Sequence, residues 1–167
     1  MANINYSLSL HLSQALTKKK MRLVIAESCT GGGLAEEITA VEGCSAWFDR
    51  GFVTYSNAAK VQQLDVSEKT LAKHGAVSDK TAMEMAKGAL EHSDADISLS
   101  ITGIAGPGGG TSEKPVGTVW FGLADKTGRC EARMGMFASG RKNVRSNAIQ
   151  FALQWLLDTT NGYLNPI

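Results

Sequence analysis

The stretch Ala26-Glu27-Ser28-Cys29-Thr30-Gly31-Gly32-Gly33 limits the folds open to this chain more than any other. It follows the branched apolar run Met21-Arg22-Leu23-Val24-Ile25 and precedes Leu34-Ala35-Glu36-Glu37-Ile38, so a short strand turns through a polar corner into a helix. Helix N-termini leave backbone N–H groups without partners, and glycines let a ligand or a developing oxyanion approach them closely. Ser28 or Cys29 sits at that corner, which suits either anion binding or nucleophilic catalysis.

The rest of the chain supplies partners for this strand. Leu8, Leu12, Ala15 and Leu16 recur at helical spacing and predict an amphipathic first helix ending near Lys18-Lys19-Lys20. After the helix beginning near Thr30, residues 41–46 read as a loop and Gly51 to Tyr55 as a strand. Strand, helix, strand with this crossover implies a parallel pair. Ser56-Asn57, Ser67 and Ser78 are N-cap residues for three further helices, the third carrying Ala82, Met85, Ala86, Ala89 and Leu90 on one face. Ile97 to Thr102 alternates at period two, and Val116 to Leu123 with Cys130 to Phe137 reads as an antiparallel hairpin. A last helix over Asn143 to Leu157 stops before Asn161-Gly162. Helices between and after the strands must cover both sheet faces, so residues 1–167 are expected to form one α/β domain, a three-layer α/β/α sandwich on a mixed, mainly parallel sheet.

Charge and cysteine usage narrow the partners. A formal net charge of +1 gives no basic surface for nucleic acid or an anionic membrane. The 3 cysteines are odd in number and lack CxxC spacing, which argues against a disulfide framework or zinc site and suits a reducing compartment. Residues 1–16 lack the uninterrupted apolar core of a signal peptide, so the cytoplasm is expected. Trp47, Phe48 and Trp120 are candidates for either core or the surface of a homo-oligomer.

Two glycine-rich loops leave strand ends, the Ser28 corner and Gly103 to Lys114, and in open sheets such loops face one cleft. Neither is a Walker A or GxGxxG motif, which leaves phosphate binding through bare N–H groups. No histidine lies near Ser28 in sequence. Tyr55-Ser56-Asn57-Ala58-Ala59-Lys60 starts where the neighbouring strand ends, so a desolvated Lys60 can serve as a neutral base with Tyr55 relaying the proton, the alternative being an exposed lysine and a packed tyrosine. Cys29 is the second candidate nucleophile. Glu27 fits a helix-capping role better than that of a lysine partner. Arg141 and Arg145 lie one helical turn apart and form either a phosphate clamp or solvated salt bridges.

Ala26 to Gly32, the Tyr-Ser-Asn-x-x-Lys pattern of residues 55–60, Gly103 to Thr111, Lys114 to Val119 and Arg141-x-x-x-Arg145 together resemble the C-terminal domain family of the competence-damage-inducible CinA proteins, including its stand-alone nicotinamide-nucleotide amidase form. The resemblance spans nearly the whole chain. It implies an α/β/α enzyme that converts nicotinamide mononucleotide to nicotinic acid mononucleotide and ammonia with no metal or other cofactor, and with Ser28, Tyr55 and Lys60 as catalytic residues. Backbone N–H groups of Thr30, Gly31 and Gly32 are the expected oxyanion donors. Gly106, Gly108, Gly109, Gly110 and Thr111, with Arg141 or Arg145, are the expected phosphate site, and Ser45, Asn57 and Thr102 complete the candidate substrate contacts. The absence of the longer members' N-terminal domain points to a stand-alone enzyme. The alternatives are a non-catalytic nucleotide-binding module and a serine amidohydrolase for another amide.

Overall fold

A computed structural model describes residues 3–162. Among them five strands form one mixed sheet, β1 (Leu23–Glu27), β2 (Phe48–Val53), β3 (Ile97–Gly103), β4 (Thr118–Asp125) and β5 (Cys130–Met136), in the spatial order β2-β1-β3-β4-β5. β1 is parallel to both β2 and β3, and β4 and β5 add antiparallel. The expected mixed sheet is therefore present, with its parallel part at β2-β1-β3.

Helices α1 (Ile4–Lys19), α2 (Gly33–Thr39) and α6 (Gly140–Gly162) cover one face. Leu12, Leu16, Leu34, Ile38, Ala148, Ala152 and Leu156 pack there against Leu23, Ile25, Leu99, Ile101 and Phe121 of the sheet. Phe121 also stacks on Phe151, with ring centroids 4.5 Å apart, and Trp47 is fully buried in the same core rather than at a surface. The opposite face carries α3 (Asn57–Leu64), α4 (Glu68–His74) and α5 (Asp79–Glu91), with Val24, Ala26, Leu64, Val66, Met85 and Ala89 as its core. Two covered faces give the three-layer arrangement.

The polar alternation of β3 has a specific use. Ser98 and Ser100 each donate a 2.6 Å hydrogen bond to a carbonyl of α5, from Ala86 and Ala82 respectively. Thr102 donates at 2.8 Å to the carbonyl of Ala76, just before that helix. These small residues let α5 sit close on the sheet, and Gly122 beside them completes the approach. A Cβ added at Gly122 would lie 2.1 Å from the carbonyl oxygen of Ala82. Gly122→Ala is therefore expected to destabilise the protein by about 3 kcal/mol through overpacking against backbone, lowering Tm by roughly 6–12 °C in a thermal melt. An unchanged Tm would show that the helix shifts freely.

Several boundaries differ from the sequence reading. β2 begins at Phe48 and ends at Val53 rather than running from Gly51 to Tyr55, because pairing with Leu23 through Glu27 of β1 sets its extent. The helix after the glycine corner starts at Gly33 rather than near Thr30, since Gly31 and Gly32 hold φ of 58° and 94°, outside the helical region. β4 starts at Thr118, leaving Val116 and Gly117 in the preceding loop. The last helix extends from Gly140 to Gly162, its final turn held by buried Thr159 and Thr160, the latter bonded to the carbonyl of Leu156 at 2.7 Å.

Candidate active site

The parallel arrangement of β1, β2 and β3 brings their carboxyl ends to one edge of the sheet, where ligand sites of open α/β sheets gather. Residues 28–32, 54–56 and 104–117 all emerge there, and α6 begins beside them after β5. Ser28 is 8% exposed, and its backbone N–H is anchored to the carbonyl of Ile101 at 2.9 Å. Glu27, buried beneath it, accepts from the N–H groups of Leu34 and Ala35 at 3.0 Å each. The carboxylate thus caps α2, and among the described residues it forms no ion pair with Lys60.

Lys60 lies in α3, whose N-cap Ser56 accepts from the Ala59 N–H at 3.0 Å. That capped first turn carries the lysine back under the sheet edge, where it is 1% exposed. Its Nζ lies 2.9 Å from Ser28 Oγ and 2.8 Å from the carbonyl of Thr54, with the carbonyl of Tyr55 at 3.4 Å. No carboxylate forms an ion pair with it among the described residues. Burial without a counter-ion lowers its pKa from 10.5 to about 8. The Thr54 carbonyl is a site component that residue-type reasoning missed, since a backbone acceptor carries no sequence signal.

Cys29 is also buried, and desolvation pushes its thiol up to about 11, so it stays protonated. In the corner itself, the Gly31 N–H is spent on the Ser28 carbonyl at 3.0 Å and cannot serve an oxyanion as expected. The N–H groups of Thr30 and Gly32 carry no such bond among the described residues. Arg145 donates to the carbonyl of Thr30 at 2.8 Å and so braces the corner from α6.

The remaining candidates divide. Tyr55 is 60% exposed, and its hydroxyl meets Arg141 Nη2 at 3.2 Å rather than Ser28 or Lys60. Arg141 Nη1 reaches the Gly106 carbonyl at 3.0 Å. In the second glycine loop the N–H groups of Gly108, Gly109 and Gly110 have no backbone partner among the described residues, whereas the Thr111 N–H closes a turn onto the Lys114 carbonyl at 2.8 Å. The Thr111 hydroxyl accepts from the Lys114 N–H in the same turn at 3.0 Å, so Thr111 shapes the loop and has its hydroxyl proton, not its N–H, to donate. Asn57 is exposed at the start of α3.

Ser45 lies apart from the other candidates, and the Thr102 hydroxyl is engaged within the fold. Ser45 lies in a short 3-10 turn (Cys44–Ala46) before β2, at the amino-terminal edge of the sheet. The length of a strand, roughly 16 Å, separates that edge from Ser28. Thr102 is 1% exposed, with its hydroxyl given to Ala76. No group of three or more His, Cys, Asp and Glu is placed to hold a metal ion among the described residues. No helix among them is long and apolar enough to cross a membrane.

Comparison with known proteins agrees with this architecture. The profile of the CinA C-terminal domain matches residues 5–160. The chain is 53% identical over 152 residues to the nicotinamide-nucleotide amidohydrolase PncC of Enterobacter agglomerans, covering 91% of this chain and 93% of that protein. It is 53% identical over 149 residues to the nicotinamide-nucleotide amidohydrolase PncC of Escherichia coli K12, covering 89% and 90%. The crystal structure of the competence/damage inducible protein CihA from Agrobacterium tumefaciens superposes with a TM-score of 0.91 at 40% identity, covering 96% of this chain and 98% of that one. With the family profile matched over nearly its whole length, the chain belongs to the CinA C-terminal domain family.

Proposed function

We propose that this protein is a nicotinamide-nucleotide amidohydrolase, converting nicotinamide mononucleotide to nicotinic acid mononucleotide and ammonia, with Ser28 as nucleophile and Lys60 as its base. The observation that carries this reading is the buried 2.9 Å contact between Lys60 Nζ and Ser28 Oγ, on a lysine whose pKa is lowered toward neutrality. The 53% identity to the PncC amidohydrolases supports the substrate.

In the neutral amine two N–H bonds remain for the carbonyls of Thr54 and Tyr55, and the lone pair faces the Ser28 hydroxyl. Ser28 Oγ attacks the carboxamide carbon as its proton passes to Lys60, while the N–H groups of Thr30 and Gly32 receive the oxyanion. Collapse of the tetrahedral species breaks the C–N bond, and the proton on Lys60 goes to the leaving nitrogen. Water then attacks the acyl-enzyme with Lys60 as base, releasing the carboxylic acid and restoring Ser28. The uncommitted amides of the second glycine loop lie at the same sheet edge and suit the phosphate end of the nucleotide.

The test is ammonia release from nicotinamide mononucleotide, nicotinamide and unrelated amides, followed against pH. Because the neutral lysine is the working form, kcat/KM is expected to climb about tenfold per pH unit at low pH and level off above a midpoint near 8. Turnover of no amide would overturn the amidase reading. A flat profile between pH 6 and 9 would remove Lys60 as the base.

A further inference from the structure

The two edge strands of the sheet are built differently. β2 is guarded. Its register with β1 shifts between Leu23 and Val24 so that Asp49 is passed over, and Asp49 forms ion pairs with Arg22 and Arg50. Bulges and charges of this kind keep an edge from pairing with another chain. β5 has a regular ladder instead, from Cys130 opposite Ala124 to Met136 opposite Thr118, and contains no proline. It exposes Met134 at 52% and Met136 at 53%. Trp120, opposite Met134 in β4, is half-buried and continues the apolar strip.

The ladder also decides which backbone groups face outwards. The Phe137 N–H donates to the Gly117 carbonyl at 2.9 Å, and the Asp125 N–H to the Arg129 carbonyl at 3.1 Å. Odd-numbered residues of β5 therefore turn their N–H and C=O groups towards β4. Those of Cys130, Ala132, Met134 and Met136 point away from the sheet, and among the described residues no backbone group meets them.

We propose that β5 pairs with β5 of a second copy of this chain, antiparallel about a twofold axis at Ala132, joining two five-stranded sheets into one. Outward groups must meet outward groups, so the registers that overlap most of the strand put Ala132, Arg133 or Met134 on the axis. An axis at Arg133 sets that guanidinium opposite its own copy, and like charges directly opposite are destabilising. One at Met134 leaves Glu131 and Arg133 opposite Phe137 and Gly135. The axis at Ala132 places Glu131 opposite the partner's Arg133, twice by symmetry. Both side chains are set for this before a partner arrives. Arg133 lies over the Trp155 ring, 4.5 Å from its centroid, and Glu131 is paired with Arg129. On the opposite face of the sheet the same register packs Met134 against the partner's Cys130 and Met136 over the partner's Gly128.

Sedimentation equilibrium over a micromolar concentration range tests this. The wild-type chain is expected at twice its mass of 17.7 kDa. Glu131→Arg and Arg133→Glu each create two like-charge contacts across the axis and are expected to weaken the dimer about 30-fold. The double variant Glu131→Arg/Arg133→Glu restores both ion pairs with the signs exchanged, and its Kd should return to within about threefold of the wild-type value. Backbone amide exchange at Ala132 and Met134 should slow as the dimer forms, whatever the variants do to folding. The residues of the Ser28 corner lie on other strands, so ammonia release per chain should change less than about twofold in all three variants. A wild-type chain that stays at 17.7 kDa would overturn the proposal. So would a dimer indifferent to both single exchanges, a double variant no tighter than the singles, or amides at Ala132 and Met134 that exchange equally fast in monomer and dimer.

Discussion

Ser28→Ala is expected to lower kcat for ammonia release by about 10⁴-fold or more, the scale seen when a covalent nucleophile is removed. The argument rests on what else the site holds. Cys29 cannot take over, since its thiol is buried and protonated with a pKa near 11, and among the described residues the histidine ring bond runs from His92 to Asp65, not to the corner. Ser28 keeps its place through its backbone, bonded to Ile101, so the alanine variant retains the turn and the amides of Thr30 and Gly32. Affinity for the nucleotide should therefore stay within about threefold of the wild-type value, because one neutral hydrogen bond contributes little net free energy. Mass spectrometry of the wild-type protein quenched during turnover should show an adduct of the nicotinoyl nucleotide on the peptide containing Ser28. Retained turnover in Ser28→Ala would mean that water attacks directly and the serine only positions it.

How much of this was legible in the sequence depended on the range of the interaction. The strand–corner–helix around Ser28 could be read locally, because the apolar run, the polar turn and the glycines are contiguous. The placement of Lys60 in the first turn of a helix after Tyr55 was legible because Ser56 is a strong N-cap and fixes where the lysine stands on its helix. The limits of β2 were not, since Phe48-Asp49-Arg50 has no alternation and its register is imposed by β1. The partner of the Thr102 hydroxyl was hidden for a related reason. Its side chain faces α5, a consequence of strand parity and of a helix that begins more than 20 residues earlier. Ser45 was rightly read in a loop before its strand, and that position alone puts it at the amino-terminal edge of a parallel pair, away from the Ser28 corner. The arginine pair was visible as a pair, but its division of labour depends on Thr30 and Gly106, partners 115 and 35 residues away.

Lys60→Met is expected to abolish most activity and to stabilise the protein. A positioned general base contributes about 10²–10⁴-fold, and the thioether cannot accept the Ser28 proton, so kcat should fall by about 10³-fold. Stability should move the other way. The unfolded chain leaves Lys60 at its ordinary 10.5, while the folded protein holds it near 8. Below pH 8 folding must bury a cation with no counter-ion, a penalty of about 3 kcal/mol from the shift alone. The methionine loses the hydrogen bonds to Thr54 and Ser28, about 1 kcal/mol each, which leaves a net gain on the order of 1 kcal/mol. For a chain of this size that raises Tm by about 2–4 °C at pH 7. Between pH 8 and 10.5 the unfolded wild-type chain binds more protons than the folded one, so wild-type stability rises with pH in that window and the advantage of the variant shrinks. Paired thermal melts at pH 7 and pH 10 measure this directly. A variant that melts lower than the wild type at pH 7, or whose advantage grows at pH 10, would show that the lysine is a structural strut and not a strained base. The expected pattern, activity lost while stability is gained, is the mark of a group held where chemistry needs it against the preference of the fold.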